Sequence, residues 1–211
     1  MSPFTVYLAG DLFDHKHLTG NAMLAGAIGE HSGGRYLCVV PQDLEQSTGR
    51  AVDIRNQDLK QVIACDLGLF NFDGTDLDSG TVVEFMMAKV LDIPSVVLRS
   101  DFRSSGDQEN DGDDWNLMCS FYPRVRVVSF NAMAWYQQAC SPGQLYARIA
   151  AAVIEQFDAV RAEPPVLDGD ARRQEELYRW ATRFPGGGFE ACCGPGFVEQ
   201  VLEAKRRKQL L

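Results

Sequence analysis

Residues 67–98 read LGLFNFDGTDLDSGTVVEFMMAKVLDIPSVVL, and this stretch decides the fold. It contains two continuous apolar runs, residues 67–72 and 94–98, which flank a helix-like segment at residues 79–91. Continuous apolar runs, as opposed to alternating ones, are typical of strands in a parallel sheet that is covered on both faces. The stretch therefore predicts a strand–helix–strand unit.

The same alternation continues on both sides of this unit. Strands are predicted at residues 5–9, 36–40, 67–72, 94–98 and 125–130, and helices at residues 18–28, 51–64, 79–91 and 143–160. This order predicts an α/β fold with a five-stranded, parallel, doubly wound sheet of the flavodoxin-like type. In such a sheet the ligand binds outside the carboxyl ends of the strands, so the residues that follow the strands are expected to line the site.

A change of composition after residue 161 marks a second segment. A linker rich in Pro and Asp leads to two further predicted helices, at residues 171–183 and 197–210. We therefore predict a main domain over residues 1–161 and a helical C-terminal extension over residues 162–211. The apolar residues of the extension share a helical spacing and are expected to pack on the core; they are Leu177, Trp180, Phe184, Phe197, Val201 and Leu202.

The charge balance excludes several classes of partner. The 211 residues carry 29 Asp and Glu against 20 Lys and Arg, a net charge of -9. Nucleic acids and anionic membranes are bound by basic faces, so neither is an expected partner. The sequence shows no run of about 18 apolar residues and no secretory signal. The cysteines form no C-x-x-C pair, and the histidine spacing gives no metal site. We expect a cytoplasmic protein with reduced thiols.

The motifs G-x-G-x-x-G, G-x-x-x-x-G-K-[ST] and G-x-S-x-G do not occur in the sequence, which disfavours dinucleotide chemistry, P-loop hydrolysis and serine hydrolysis. Carboxylates near predicted strand ends are the remaining candidates. Glu84 lies among apolar residues, where a carboxylate should be partly desolvated unless it has a partner or a task. Alternatively, Glu84 complements the helix dipole, Asp58 is a surface residue and Asp66 is a turn residue.

Taken together, four sequence elements resemble those of the nucleoside 2-deoxyribosyltransferase family, over roughly residues 4–135. In chain order the elements are Tyr7 with Gly10 and Phe13, Asp58 eight residues before Asp66, Asp78 six residues before Glu84, and Asn116 with Met118. A softer match places Glu45 where family members have a polar residue that contacts the base. The resemblance implies an enzyme of nucleotide salvage that acts on deoxynucleosides and nucleobases, needs no cofactor or metal, and forms at least a homodimer.

The resemblance also implies a role for each matching residue. Glu84 is the nucleophile that forms a covalent glycosyl ester, which a second base then attacks. Tyr7 orients Glu84 by a hydrogen bond, and Asp58 handles the base and its proton. Asp78 and, from a second subunit, Asn116 hold the sugar hydroxyls. Backbone and apolar contacts are expected from Gly10, Phe13, Met86 or Met87, and Met118.

The chain departs from the family pattern at its end. In some members the terminal carboxylate completes the sugar site, whereas here residues 162–211 follow the expected end. An acidic loop over residues 100–114 precedes Asn116 and is either a lid or an insertion.

Two alternative functions stay open. The first is a hydrolase on the same scaffold that cleaves a deoxynucleoside or its 5′-monophosphate. The second is a nucleoside-binding protein without turnover. A phosphate-specific enzyme would need an inward-pointing basic residue, and the candidates are Arg50, Arg55, Arg99 and Arg103.

Overall fold

The structure is a computed structural model that describes residues 2–44, 49–103, 113–167 and 169–211. Within these ranges the chain forms a sheet of five strands, β1 (Phe4–Ala9), β2 (Tyr36–Val39), β3 (Leu67–Asn71), β4 (Ser95–Arg99) and β5 (Val125–Ser129). All neighbouring strands are parallel, and their order is β2-β1-β3-β4-β5. This is the flavodoxin-like order, so the predicted doubly wound sheet is confirmed.

Helices cover both faces of the sheet. The helices that follow the first strands are α1 (His15–His31), α2 (Ala51–Ala64) and α3 (Ser79–Val90), and α4 (Ala132–Gln138) and α5 (Pro142–Val160) follow β5. One core lies between the sheet and α1 with α5, and the other lies between the sheet and α2 with α3. Alternate strand residues enter opposite cores, since Leu8 belongs to the first and Tyr7 to the second.

Capping explains where α1 begins. The helix starts at His15, before the predicted residue 18, because the Asp14 side chain accepts hydrogen bonds from the backbone N–H groups of Lys16 and His17. Among the described residues, no helix is long and apolar enough to cross a lipid bilayer.

The C-terminal segment forms α6 (Ala171–Arg183), α7 (Phe189–Cys193) and α8 (Phe197–Arg207). Its inward-facing residues share one hydrophobic core with α2 and α3; they include Tyr178, Ala181, Phe189, Val201 and Leu202. Leu177 and Phe197 pack against this core as expected. The expectation is wrong for Trp180 and Phe184, which are 61% and 52% exposed. Tyr178 and Ala181 occupy the inner face of α6, and Trp180 lies about 200° around the helix from Tyr178.

Lysines near the C-terminus attach the extension to the amino ends of β1 and β3. Lys208 Nζ lies 2.5 Å from Asp66 Oδ2 and also donates to the Pro3 carbonyl. Asp66 further accepts hydrogen bonds from the backbone N–H and the hydroxyl of Thr5. The buried Lys205 ammonium donates to the Cys65 carbonyl. The structure thus places Asp66 at the turn before β3, at the edge of the sheet opposite the predicted ligand site.

Candidate active site

The candidate site lies at the carboxyl ends of β1 and β3, where this topology places ligands. Tyr7 points from β1 toward the face covered by α2 and α3, and Glu84 lies on the second turn of α3. The Tyr7 hydroxyl donates a hydrogen bond of 2.6 Å to Glu84 Oε1. The fold therefore joins two side chains that lie 77 residues apart in the sequence.

The surroundings of Glu84 shift its protonation. Burial raises the pKa of Glu84 to about 7, the hydrogen bond from Tyr7 opposes that rise, and the nearby carboxylates of Asp58 and Asp78 add to it. Burial and the facing Glu84 raise the pKa of Tyr7 far above its usual range. The Tyr7 hydroxyl therefore stays a hydrogen-bond donor at every physiological pH, and Glu84 is partly ionised near neutral pH.

Asp58 supplies the second carboxyl group. It lies half-buried on α2, and burial raises its pKa to about 6. It acts electrostatically on both Tyr7 and Glu84. With pKa values of about 6 and 7, Asp58 loses its proton before Glu84, so between those pH values the pair carries one proton that lies mainly on Glu84. Such a pair can supply an acid and a carboxylate nucleophile at the same time.

Asp78 lies where α3 begins. Its Oδ2 accepts hydrogen bonds from the backbone N–H and the hydroxyl of Thr81, at 2.7 and 2.9 Å, and so caps the helix. Within the described part of the chain, its Oδ1 accepts no hydrogen bond from the protein. Asp78 is thus held in place by one oxygen while the other is available to a ligand.

The sequence analysis missed Asp11 as a site residue. Burial, and then the charge of Asp78, raise the pKa of Asp11. This carboxylate directly follows Gly10 in the loop after β1, and only its position after a predicted strand end marked it in the sequence. Gly10 itself lies close to the end of β3, since a Cβ atom there would lie 3.1 Å from Asn71 Cβ. Its lack of a side chain lets the ends of two strands approach each other.

Other predicted residues lie at the surface of a single chain. Phe13 is 78% exposed and Met118 is 69% exposed. Asn116 is also exposed, and its side chain accepts a hydrogen bond from the backbone N–H of Met118. Met86 and Met87 lie on α3 and pack in the core between that helix and the sheet. Glu45 lies outside the described residues, as does most of the acidic loop before Asn116.

Among the residues that the structure describes, no group of three or more His, Cys, Asp or Glu side chains is arranged to hold a metal ion. The site holds two carboxyl groups with raised pKa values, Asp58 and Glu84, and Glu84 also accepts a hydrogen bond from Tyr7.

Comparison with known proteins identifies the family. The family model described as nucleoside 2-deoxyribosyltransferase matches residues 6–118, more than half of the chain. The chain belongs to this family. It is therefore an enzyme of the deoxyribosyltransferase type, and the matched region contains Tyr7, Asp58, Asp78 and Glu84 but stops before the extension. No curated protein sequence matches the chain.

Two solved structures are similar to this chain. A conserved protein from Enterococcus faecalis V583 is 23% identical, with a TM-score of 0.50 over 69% of this chain and 99% of that chain. A 2-desoxiribosyltransferase from Leishmania mexicana is 24% identical, with a TM-score of 0.48 over 66% of this chain and 100% of that chain.

The four arginines that the sequence offers as candidate phosphate ligands are bound by protein groups. Arg99 is buried, and its guanidinium donates to the carbonyls of Phe72, Gly74 and Arg103. Arg103 pairs with Asp101 at 2.5 Å, Arg55 donates to Asn56 and Gly186, and Arg50 lies 3.8 Å from Asp53. Each candidate phosphate-binding arginine thus already has a structural contact.

The hydrogen bond from Tyr7 predicts the effect of removing it. Tyr7→Phe should raise the pKa of Glu84 above its value of about 7, because the ionised carboxylate loses a donor. A loss of about 1.4 kcal/mol, within the range for hydrogen bonds to charged groups, would lower the ratio of ionised to neutral Glu84 about tenfold. Titration of the glutamate carboxyl signals by ¹³C NMR, with Glu84→Gln for assignment, measures this change.

Tyr36→Phe is the matched control, since this buried tyrosine bonds to Asp158 on the other face of the sheet. It should leave the pKa of Glu84 unchanged. An unchanged or lower pKa of Glu84 in Tyr7→Phe would show that the hydrogen bond does not stabilise the carboxylate.

Proposed function

We propose that the protein transfers 2-deoxyribose from one nucleobase to another through a covalent ester with Glu84. The observation that carries the proposal is the 2.6 Å hydrogen bond between Tyr7 and Glu84 Oε1 in a buried acidic site. The bond fixes one oxygen of the carboxylate, and within the described residues the other, Oε2, accepts no hydrogen bond. Oε2 is therefore the atom that attacks the sugar.

In the first step Glu84 Oε2 forms a bond to C1′ while the glycosidic C–N bond breaks. The electron pair of that bond moves to the leaving base, and Asp58 donates a proton to the base. The positive charge that develops on the sugar ring is stabilised by the carboxylate beneath it. The productive form has Asp58 protonated and Glu84 ionised, which is the less populated arrangement of the proton because Glu84 has the higher pKa.

In the second step a nitrogen atom of the acceptor base attacks C1′ on the face that the first base has left. The ester bond breaks, its electron pair returns to Glu84, and the acceptor's proton passes to Asp58. Two inversions at C1′ retain the configuration of the nucleoside. Water in place of the acceptor base would give hydrolysis, so the difference between the two reactions depends on how well the site excludes water.

Charge around the site favours an uncharged nucleoside as the substrate. Asp78 caps α3 with Oδ2 and offers Oδ1 to a sugar hydroxyl, and Asp11 lies close enough to respond to the charge of Asp78. These carboxylates repel a 5′-phosphate, and the four candidate phosphate-binding arginines are bound by other protein groups. We therefore favour deoxynucleosides over their monophosphates. We also propose a cytoplasmic role in nucleoside salvage. In its support, none of the six cysteines forms a disulfide bond within the described residues.

A second subunit completes the proposed site. Asn116, Met118 and Phe13 are exposed in one chain, and Phe121, five residues after Asn116, is 77% exposed. Large exposed apolar side chains close to a predicted site are typical of a surface that another chain covers. In the proposed homo-oligomer this surface brings Asn116 of one subunit to the sugar in the other.

Chromatography of the reaction products tests the proposal. Thymidine with adenine should give deoxyadenosine, whereas thymidine alone should give little free thymine. Glu84→Gln should lower the transfer rate by at least about a thousandfold, since it removes the nucleophile. Glu155→Gln, an exposed residue of α5, is the control and should keep full activity.

Two outcomes would contradict the proposal. Free thymine in both reactions, without deoxyadenosine, would identify a hydrolase. A protein whose melting temperature rises with thymidine but which forms neither product would be a nucleoside-binding protein.

Mixed oligomers test the inter-subunit role of Asn116. Glu84→Gln and Asn116→Ala should each be inactive, but a mixed dimer contains one site with both native residues. Random subunit exchange in an equal mixture should therefore restore about a quarter of the parental activity. Mixing Glu84→Gln with Asp58→Asn is the control and should restore none, because both residues belong to the same chain's site. Lack of recovery in the first mixture, once subunit exchange is verified, would exclude the shared site.

A further inference from the structure

The first half of α2 is held from outside by the extension. Of residues 51–57, only Asn56 is buried, and the buried apolar residues of the helix begin at Leu59. The residue before the helix, Arg50, makes no capping hydrogen bond with its side chain. The fully buried apolar contacts of α2 therefore lie in its second half.

Residues 186–188, three consecutive glycines that we call the glycine loop, supply contacts there. Asn56 Nδ2 donates a hydrogen bond of 2.9 Å to the Gly187 carbonyl. Arg55 Nη2 donates to the Gly186 carbonyl at 3.2 Å and to Asn56 Oδ1 at 2.7 Å. The glycine loop thus binds the helix two and three residues before Asp58, across 131 positions of sequence.

Only glycine fits at the centre of this loop. Gly187 has a φ of +57°, and a Cβ atom there would lie 2.7 Å from Arg55 Nη2 and 2.9 Å from Val52 Cγ2. Gly188 has a similar positive φ of +78°, but a Cβ atom there would meet no atom within 4 Å. The two positions therefore share the same backbone requirement and differ in their contact with α2.

Asp58 depends on the position of α2. Within the described ranges no protein group donates a hydrogen bond to its carboxylate, in contrast to Glu84 and Asp78. The titratable groups that interact with it are the Tyr7 hydroxyl on β1 and the Glu84 carboxyl on α3. On α7, Cys193 lies near Lys60 of α2 and near Glu190 of its own helix. The placement of Asp58 against its partners is therefore set by the helix that carries it.

We propose that the glycine loop clamps the start of α2 against the domain and thereby positions Asp58 for proton transfer to the nucleobase. This assignment rests on the proposed function. The matched family region, residues 6–118, contains Asp58 and its partners but not the extension. The proposal thus gives the extension a role at that site. The extension then acts at both ends of α2, since Lys205 bonds to Cys65 directly after the helix.

A looser helix end would admit water to Asp58. Burial is what raises the pKa of this carboxyl to about 6, so hydration should return it toward the ordinary value of about 3.9. Asp58 would then be ionised in more of the molecules and would carry the shared proton less often. The transfer rate should fall about tenfold for each pH unit by which this pKa falls.

The test compares Gly187→Ala with Gly188→Ala by ¹³C NMR titration of the aspartate carboxyl signals, with Asp58→Asn for assignment. Gly187→Ala should lower the pKa of Asp58, whereas Gly188→Ala should leave it near its parental value. Arg55→Ala is a milder second variant, since Arg55 is exposed and its loss removes the bonds to Gly186 and Asn56. It should lower the same pKa by a smaller amount.

The pH profile of thymidine-to-adenine transfer is the second readout. The acidic limb of kcat/KM should move to lower pH in Gly187→Ala and kcat should fall, with the KM for thymidine nearly unchanged. A merely less stable protein would lose active molecules without moving the limb. Unchanged titration of Asp58 in all three variants, or equal changes in both glycine variants, would overturn the clamp. If Gly187→Ala lowers the pKa of Asp58 but the parental protein performs no transfer, the proposed function is refuted and the clamp is supported.

Discussion

The hydrogen bond from the buried Tyr7 to the partly buried Glu84 carboxylate is the interaction on which the rest of the site depends. Glu84 lies in surroundings that raise its pKa to about 7, and the Tyr7 hydroxyl is the donor that stabilises its ionised form. The contact requires β1 and α3 to meet with the correct faces, because Tyr7 alternates with Leu8 between two cores. A parallel sheet that is covered on both faces provides that geometry, and its carboxyl edge brings Tyr7 and Asp78 to Glu84 and Asp11 to Asp78.

The sheet could be predicted from sequence because its strands are short, continuous apolar runs between helices of regular length. Helix boundaries were less accessible, since α1 begins where the Asp14 side chain caps it and not where apolar spacing starts. The interpretation of α6 was wrong for Trp180 and Phe184, because helical spacing alone admits more than one inner face. Tyr178 occupies the inner face and donates a hydrogen bond to the Leu91 carbonyl.

The candidate site was predictable where the residues resembled a family pattern, and less so elsewhere. Asp11 gains its significance from Asp78, which comes from a different strand end, and the only local signal was its position after a predicted strand. The contact between Asn56 and Gly187 joins the main domain to a segment outside the matched region and depends entirely on tertiary packing. Such contacts become visible only when the extension is placed on the core that it shares with α2 and α3.

The central claim is that Glu84 forms a bond to the sugar. Mass spectrometry of the intact protein, quenched in acid during incubation with thymidine and no acceptor base, tests this claim most directly. The account predicts a mass increase equal to one deoxyribosyl group, located by peptide digestion on Glu84 and lost when adenine is added before the quench. Turnover of thymidine by the parental protein without any adduct, or with an adduct on another residue, would contradict it.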